Sequence, residues 1–312
     1  MSQNLIPIRL NTLKPNVPLG FALLLKLNQN YIKYVNAEDG IEQHRLDNLK
    51  SKGVKKVYIE SADESKYHQF LDSLLNLAVK GGGQMEAAAK TAVIAGATAD
   101  ALEKVYSDPD NQNAYNQTKR AASSLVSATG TTPEMLKEIF NIDADDDISI
   151  NCAICTSTTA VSLGRKLGLK AADLEILSLA GLLCDLSLPK LTENYQKFFT
   201  KNLSEFGAEE AKLYRQHPQK SAEILQNKDF STPELLSIIA NHEEKLNGKG
   251  FPKGISNLTM SEKIVALCNR FSILTTGMKM TRDAALKELI LQDVGAYELE
   301  MINTLKSMVG GK

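Results

Sequence analysis

Alternating apolar and polar residues predict short strands in the first sixty positions of the chain. Leu5–Leu10 alternates as a half-buried strand does, and Phe21–Val35 fits two strands joined by a turn at Asn28–Asn30. A helix over Ile41–Lys52 and another alternating strand over Val54–Ile59 come next. The pattern therefore predicts a small module that combines strands with helices.

A run of three glycines, Gly81–Gly83, ends this module, because glycine interrupts both helices and strands. We therefore predict a small α/β domain over residues 1–82. Residues 84–128 are rich in alanine and helical in pattern, with one interruption at Asp108–Asp110. They predict a helical linker over residues 83–130. Its small side chains allow close packing within the chain or against a second copy in a homodimer.

Beyond residue 130, apolar residues recur every three or four positions and predict a helical domain over residues 131–312. Pro133 and Pro233 stand at helix starts and Gly168 follows a helix end, as these residues commonly do. The predicted fold class is α+β, with an all-helical C-terminal domain behind a small α/β domain and a helical linker. The predicted helices are Glu134–Phe140, Ala153–Leu167, Ala172–Leu183, Glu209–Leu225, Pro233–His242, Ser261–Thr275 and Arg282–Leu291.

Charge and composition narrow the class of protein. The 312 residues carry 36 basic and 37 acidic side chains, a net charge of −1, which excludes a globally basic binder of nucleic-acid polymers. No apolar run reaches the roughly 20 residues of a membrane span, and no secretion signal is apparent at the N-terminus. Four cysteines do not make a disulfide scaffold in a chain of this length and indicate a reducing compartment. We expect a cytoplasmic protein.

The most specific string in the chain runs from His242 to Pro252 and reads His-Glu-Glu-Lys-Leu-Asn-Gly-Lys-Gly-Phe-Pro. It places an imidazole and two carboxylates at the end of an apolar helix, before a two-glycine turn that Pro252 stiffens. Glycines allow a ligand to approach the backbone closely. Taken by itself, the string fits a ligand-binding loop and an ordinary solvated helix end about equally well.

The string resembles the H-H-E-x-x-D/N-G-x-G-Y-P signature of HD-GYP domains, which are cyclic-di-GMP phosphodiesterases built on the all-helical HD fold. Glu243 stands in place of the second His of the signature, and Phe251 in place of its Tyr. The matching positions are His242, Glu244, Asn247, Gly248, Gly250 and Pro252. The resemblance implies a ligand-binding loop that comprises Asn247, Gly248, Gly250, Phe251 and Pro252.

Other motifs of the family follow in the expected order. The segment around His217 is similar to the H-P-x-x-G-A-E-I-L helix and puts His217 at a metal-ligand position. Leu179–Pro189 looks like L-A-A-L-L-H-D-I-G-K, with Asp185 kept, Cys184 in place of His and Leu188 in place of Lys. The first eighty residues more weakly resemble a small domain that precedes some HD-GYP domains. By the same spacing, the first His and the last Asp of the family fall on two further positions, Cys152 and Asn269.

The resemblance implies two metal sites that share Asp185, the candidate catalytic position. The first would comprise Cys152, Cys184, Asp185 and Asn269, and the second Asp185, His217, His242 and Glu243. Two imidazoles and two carboxylates suit one divalent ion (Fe, Mn or Zn), whereas an amide and two thiols make a poor first site. The thiols also fit buried core positions, and the C-x-x-C pair at 152 and 155 fits a zinc site. We expect one bound metal ion or none.

These substitutions predict a damaged catalytic centre. Hydrolysis in this fold depends on a hydroxide that bridges two metals, and Leu188 removes a cation near the scissile phosphate. The leading hypothesis is a bacterial cyclic-di-nucleotide signalling protein, catalytically silent or weak, that binds cyclic-di-GMP, a related nucleotide or a protein partner. The alternatives are an active metal-dependent phosphodiesterase with a rearranged centre, and a scaffold with a vestigial pocket.

Overall fold

The computed structural model describes residues 4–80, 85–132, 134–140 and 147–310. The chain divides into two compact units, Met1–Asp100 and Ala101–Lys312. The predicted break at Gly81–Gly83 and the predicted helix start at Pro133 lie outside the described residues. The domain boundaries at 82/83 and 130/131 therefore stay predictions.

A four-stranded antiparallel sheet forms the centre of the N-terminal unit, and its strands lie in the order Leu5–Arg9, Lys56–Glu60, Leu23–Leu27, Asn30–Val35. Apolar side chains alternate toward one face, and Ile8, Val57 and Ile59 are fully buried there. The hairpin turn holds Asn28 at a φ of 57°, a left-handed conformation that asparagine tolerates better than most residues. The elements are β1 (Leu5–Arg9), β2 (Leu23–Leu27), β3 (Asn30–Val35), α1 (Gln43–Ser51), β4 (Lys56–Glu60) and α2 (Glu64–Lys80).

The C-terminal unit is helical in its described residues, so the predicted α+β class is confirmed. Every helix predicted beyond residue 130 is present, with ends that differ by a few residues. Among the described residues, two further α-helices, Leu188–Leu191 and Leu299–Val309, were not predicted. The remaining helices are α3 (Ala87–Ser107), α4 (Gln112–Thr131), α5 (Met135–Ile139), α6 (Ile148–Lys166), α7 (Ala171–Leu183), α8 (Leu188–Leu191), α9 (Ala208–Leu225), α10 (Pro233–Asn241), α11 (Met260–Ser272), α12 (Arg282–Leu291) and α13 (Leu299–Val309).

Helix α6 lies at the centre of this unit and packs against α4, α7 and α11. Its approach to α7 is close because a Cβ at Gly181 would lie 2.7 Å from the Cα of Ser157. The hydroxyl groups of Ser157 and Ser178 are hydrogen-bonded at 2.9 Å across the same contact. A π-helical turn at Ile273–Gly277 extends α11. Since α6, α7, α9, α10 and α11 carry the candidate ligands, their packing fixes where these side chains meet.

Among the described helices, none combines the length and the apolar character that a bilayer-crossing segment requires.

Candidate functional site

Three of the candidate ligands converge on one point in the C-terminal unit. The Nε2 atoms of His217 and His242 are 2.9 Å apart. Oδ1 of Asp185 lies 3.1 Å from Nε2 of His217 and 3.7 Å from Nε2 of His242. All three residues are at most 1% exposed. We call this group, together with Glu243, the candidate metal centre.

Backbone carbonyls orient both imidazoles. Nδ1 of His217 lies 2.6 Å from the carbonyl oxygen of Tyr214, and Nδ1 of His242 lies 2.7 Å from that of Ile239. A carbonyl accepts only from a protonated nitrogen, so each Nδ1 carries a proton and the Nε2 lone pair of a neutral ring points to the centre. Two such lone pairs and a carboxylate around one point are a donor set that a cation fits.

Glu243 lies next to both imidazoles of the centre. One of its carboxylate oxygens lies within 4.8 Å of ligand nitrogens of both His217 and His242. Its Oε1 accepts a hydrogen bond from the Tyr214 hydroxyl at 2.6 Å and a longer one from the Asn269 amide at 3.4 Å. The Asn269 amide oxygen is buried and has no hydrogen-bond partner among the described residues. It is one more oxygen that an ion or a water can use.

Cys184 also lies at the centre, next to Asp185 and His242. Its thiol lies in one group with Asp185 and His242, and Sγ is 3.7 Å from Oδ2 of Asp185. Burial, followed by the charges of Asp185 and Glu243, raises the pKa of the Cys184 thiol well above its ordinary value. A metal bound through this thiol would have to displace a firmly held proton.

The charges within the centre stabilise one another. Burial opposes ionisation of Asp185, but hydrogen bonds and charge from His217 and His242 lower its pKa below the usual carboxyl range. Burial likewise opposes the charged form of His242, yet Asp185 and then Glu243 hold its pKa above the ordinary value. The centre therefore favours the ionised carboxylate of Asp185 beside the two imidazoles.

Cys152 is separate from both groups of described residues that could hold a metal ion. Its thiol lies 3.8 Å from the carbonyl oxygen of Ser272, and burial is the largest cause that raises its pKa. Cys155 is 4.0 Å from the Thr159 hydroxyl and is also outside these groups. The residues packed with Cys152 form an apolar cluster of Leu188, Phe198, Phe199, Tyr214, Phe251 and Ile273.

This apolar cluster covers the His217 side of the candidate metal centre. The ring of Tyr214 lies 4.6 Å from the His217 imidazole, and the ring of Phe251 lies 6.3 Å from it. Phe198 packs on Tyr214 at 5.0 Å between centroids. Leu188 is fully buried, so this side chain is part of a hydrophobic core.

The glycine-rich loop after α10 is held in shape by its own residues. Both carboxylate oxygens of the buried Glu244 accept backbone N–H groups, from Lys253, Gly254 and Ile255, at 2.7–3.1 Å. A Cβ at Gly250 would lie 2.4 Å from the Cα of Glu244, so no other residue fits there. The Asn247 side chain donates to the Val294 carbonyl and accepts from the Lys249 amide. Glu244 and Asn247 therefore form their hydrogen bonds with other groups of the protein, and these bonds hold the loop in its conformation.

Asp293 ties this loop to α11. Its carboxylate accepts from Lys245 at 2.7 Å and from the Arg270 guanidinium at 3.0 Å. Partial burial opposes ionisation of Asp293, but the charges of Arg270 and Lys245 outweigh burial and lower its pKa.

We expect Asp293→Asn to lower the free energy of unfolding by about 1–3 kcal/mol, because two partly buried cations lose their counter-charge. A lowered pKa means that the contribution is present above the ordinary aspartate value of about 3.9 and is lost as pH falls through the folded-state value. Urea unfolding of wild type and variant at pH 7 and at pH 3 measures this difference in the free energy of unfolding. An equal difference between wild type and variant at both pH values would contradict the assignment.

A separate cavity of about 350 Å³ lies beside the first turns of α6 and α12. Lys279 and Arg282 supply positive charge to its wall, and the Arg282 guanidinium lies 5.7 Å from the centre of the Phe140 ring. The amide nitrogen of Asn151 is buried without a hydrogen-bond partner among the described residues. The remaining lining residues are Ile139, Ile154, Thr275, Thr276, Met280 and Thr281.

Three residues at these two places were not predicted from the sequence: Tyr214, Lys279 and Arg282. Tyr214 stands three residues before His217 on the same helix face, a spacing that could have pointed to it. Lys279 and Arg282 follow α11 and belong to no motif, so the sequence around them gives no indication of a binding site.

Known proteins of similar sequence and structure indicate the family of this chain. The family profile described as "HD domain" matches residues 110–297. A curated relative, "Cyclic di-GMP phosphodiesterase PA4108" of Pseudomonas aeruginosa, is 24% identical over 149 residues. That match covers 46% of this chain and 34% of the relative, so this chain spans about a third of that protein. The solved structure of Bd1817, described as an HDG"Y"P protein from Bdellovibrio bacteriovorus, superposes with a TM-score of 0.82 at 27% identity. It covers 98% of this chain and all of that one.

Proposed function

Because this chain belongs to the HD domain family, we propose that it serves cyclic-di-nucleotide signalling by binding a ligand or a partner, with little or no hydrolysis. The similarity to a protein named as a cyclic-di-GMP phosphodiesterase and to an HD-GYP-type structure supports the signalling context. The main observation in support of weak or absent hydrolysis is the burial of Asp185, His217 and His242, each of which is at most 1% exposed.

A metal-dependent phosphodiesterase has to bring the scissile phosphate against its metal ions. Here the apolar cluster occupies the His217 side of the centre, and its Leu188 and Phe251 stand where the family has a lysine and a tyrosine. A charged phosphate that entered would have to displace buried aromatic side chains and would find no cation at position 188. Both effects oppose turnover.

One divalent ion fits the donor set of Asp185, His217, His242 and Glu243. Such an ion would supply Lewis-acid stabilisation of negative charge and would lower the pKa of a bound water. Asp185 would provide the buried negative charge, while the carbonyls of Tyr214 and Ile239 hold both imidazoles in register.

The cavity lined by Lys279 and Arg282 supports binding of a phosphate-bearing ligand. Two cations and an unpaired amide donor suit phosphate oxygens, and Phe140 offers a flat apolar surface. The loop residues Asn247, Gly248, Gly250, Phe251 and Pro252 stay proposed ligand contacts. A protein partner or a second copy of the chain is a further proposed occupant.

The second candidate function is an active phosphodiesterase with a rearranged centre. The placement of Cys184 in one group with Asp185 and His242 favours it, because a thiolate can replace a lost imidazole. The raised pKa of that thiol opposes it.

Titration of the purified protein with cyclic-di-GMP, with product measured in the same samples, tests the proposal. We expect binding without product. Arg282→Ala should weaken binding roughly tenfold, since it removes a charge-assisted hydrogen bond. Lys287→Ala, on the exposed face of the same helix, should leave binding unchanged. Absence of binding would favour the scaffold, and rapid product formation would favour the rearranged centre.

A further inference from the structure

We propose that Tyr214 and Pro218 are positioning residues that build the His217 and Glu243 half of the candidate metal centre. The inference rests on the proposed function only in assuming that this centre takes a metal ion. Neither residue is among the candidate ligands.

Tyr214 reaches the centre through two different groups. Its hydroxyl donates to Oε1 of Glu243 at 2.6 Å, and its backbone carbonyl faces Nδ1 of His217 at 2.6 Å. The phenol ring also packs on the His217 imidazole with centroids 4.6 Å apart. One residue therefore fixes the direction of two neighbouring ligands.

Pro218 explains why that carbonyl is free. In the middle of a helix, the carbonyl of Tyr214 would accept from the N–H of the residue four positions later, which is position 218. Proline has no N–H, and Pro218 lies inside α9 with seven residues of the helix after it. The Tyr214 carbonyl is then left to His217, one residue before the proline.

His242 reaches the same orientation by another route. It caps the C-terminal end of α10, where the last carbonyls have no partner within the helix. Its Nδ1 accordingly lies 2.7 Å from the carbonyl of Ile239, again three residues earlier. The helix end frees the carbonyl for His242, whereas a proline has to free it for His217.

The effect on a metal ion follows from these supports. A carbonyl that holds Nδ1–H fixes the tautomer and leaves Nε2 as the ligand atom. On Glu243, the hydrogen bond from the Tyr214 hydroxyl to Oε1 fixes the orientation of the carboxylate that a metal would meet. Loss of such outer partners typically weakens metal binding by roughly 10–100-fold.

Pro218→Ala gives a test in which stability and metal affinity move in opposite directions. The restored N–H should make α9 more stable, because proline is the least favourable residue in a helix interior. The same N–H competes with His217 for the Tyr214 carbonyl. We expect a higher urea midpoint in excess chelator and Zn²⁺ affinity lowered roughly tenfold or more, measured by competition with a chromophoric chelator.

Tyr214→Phe tests the hydroxyl alone, since the ring and the carbonyl remain. We expect Zn²⁺ affinity to fall roughly tenfold or more, with the His217 tautomer unchanged in imidazole nitrogen NMR spectra. Tyr195→Phe is the matched control, because the Tyr195 hydroxyl donates at 2.6 Å to Asp147, which is not a candidate ligand. Its Zn²⁺ affinity should equal that of the wild type.

Unchanged Zn²⁺ affinity in Pro218→Ala, despite a raised urea midpoint, would overturn the role of the proline. Unchanged affinity in Tyr214→Phe would overturn the role of the hydroxyl. If the wild type itself binds no Zn²⁺, the metal centre of the proposed function fails. The NMR spectra then decide the positioning role, which is overturned if the Nδ1 proton of His217 is equally populated in wild type and Pro218→Ala.

Discussion

Replacing His217 with alanine is expected to remove most of the divalent metal that the protein binds. His217 supplies a buried Nε2 at 2.9 Å from that of His242 and 3.1 Å from Asp185. Its loss leaves a gap in the donor set that water can fill only partly. We expect metal affinity to fall by roughly 100-fold or more, since loss of outer partners alone reaches that size. Elemental analysis after equilibration with one ion per chain measures the change.

Cys152→Ser is the control for this experiment. Cys152 lies in the apolar cluster and outside both groups of described residues that could hold a metal, so the variant should retain the metal of the wild type. Equal loss in His217→Ala and Cys152→Ser would make the thiol a ligand. That outcome would favour the rearranged centre.

Hydrolysis of cyclic-di-GMP is expected to be slow or undetectable even with metal supplied. Loss of a single electrostatic contact to a transition state can reduce a rate by roughly 10²–10³, and several such contacts differ here. A wild-type rate of about 1 s⁻¹ or more would contradict the proposal. The differing positions are Cys152, Cys184, Leu188, Glu243 and Asn269.

The variant that restores the family residues should gain both metal and turnover. It combines Cys152→His, Cys184→His, Leu188→Lys, Glu243→His and Asn269→Asp, and we expect two ions per chain and a rate raised roughly 10²-fold or more. Because Cys184 and Leu188 are fully buried, larger or charged side chains strain the core, so urea unfolding has to confirm that the variant folds. Leu188→Lys alone is the control and should gain neither.

The fold was predictable where one pattern decides it. The alternation of apolar and polar residues predicted the strands of the sheet. Apolar residues at helical spacing, with proline or glycine near the helix ends, predicted α6, α7, α9 and α10 to within a few residues. Helix α8 was not predicted because its four residues are too few to show the helical period of apolar positions. Helix α13 was not predicted because no N-capping side chain marks its start. Strand β4 begins at Lys56, two residues later than predicted, because the strict alternation is broken by two successive lysines at 55 and 56.

Motif spacing predicted that Asp185, His217 and His242 lie close together, and they do. The residues that surround them were not predictable. The cover by Phe198 and Phe199 comes from a segment of short turns between α8 and α9, with no sequence signal that ties it to the centre. The pairing of Tyr214 with Glu243 depends on how α9 lies against the turn that follows α10, which no local pattern encodes.

The glycine-rich loop can be inherited without the reaction. Glu244 binds three backbone amides of the loop, and a side chain at position 250 would collide with the backbone of Glu244 itself. The stability of the loop is therefore a sufficient reason to retain Glu244 and Gly250, whether or not the chain binds a metal. The same string in another chain predicts the shape of its loop. The residues equivalent to Cys184, Leu188 and Glu243 are the ones that indicate whether chemistry accompanies it.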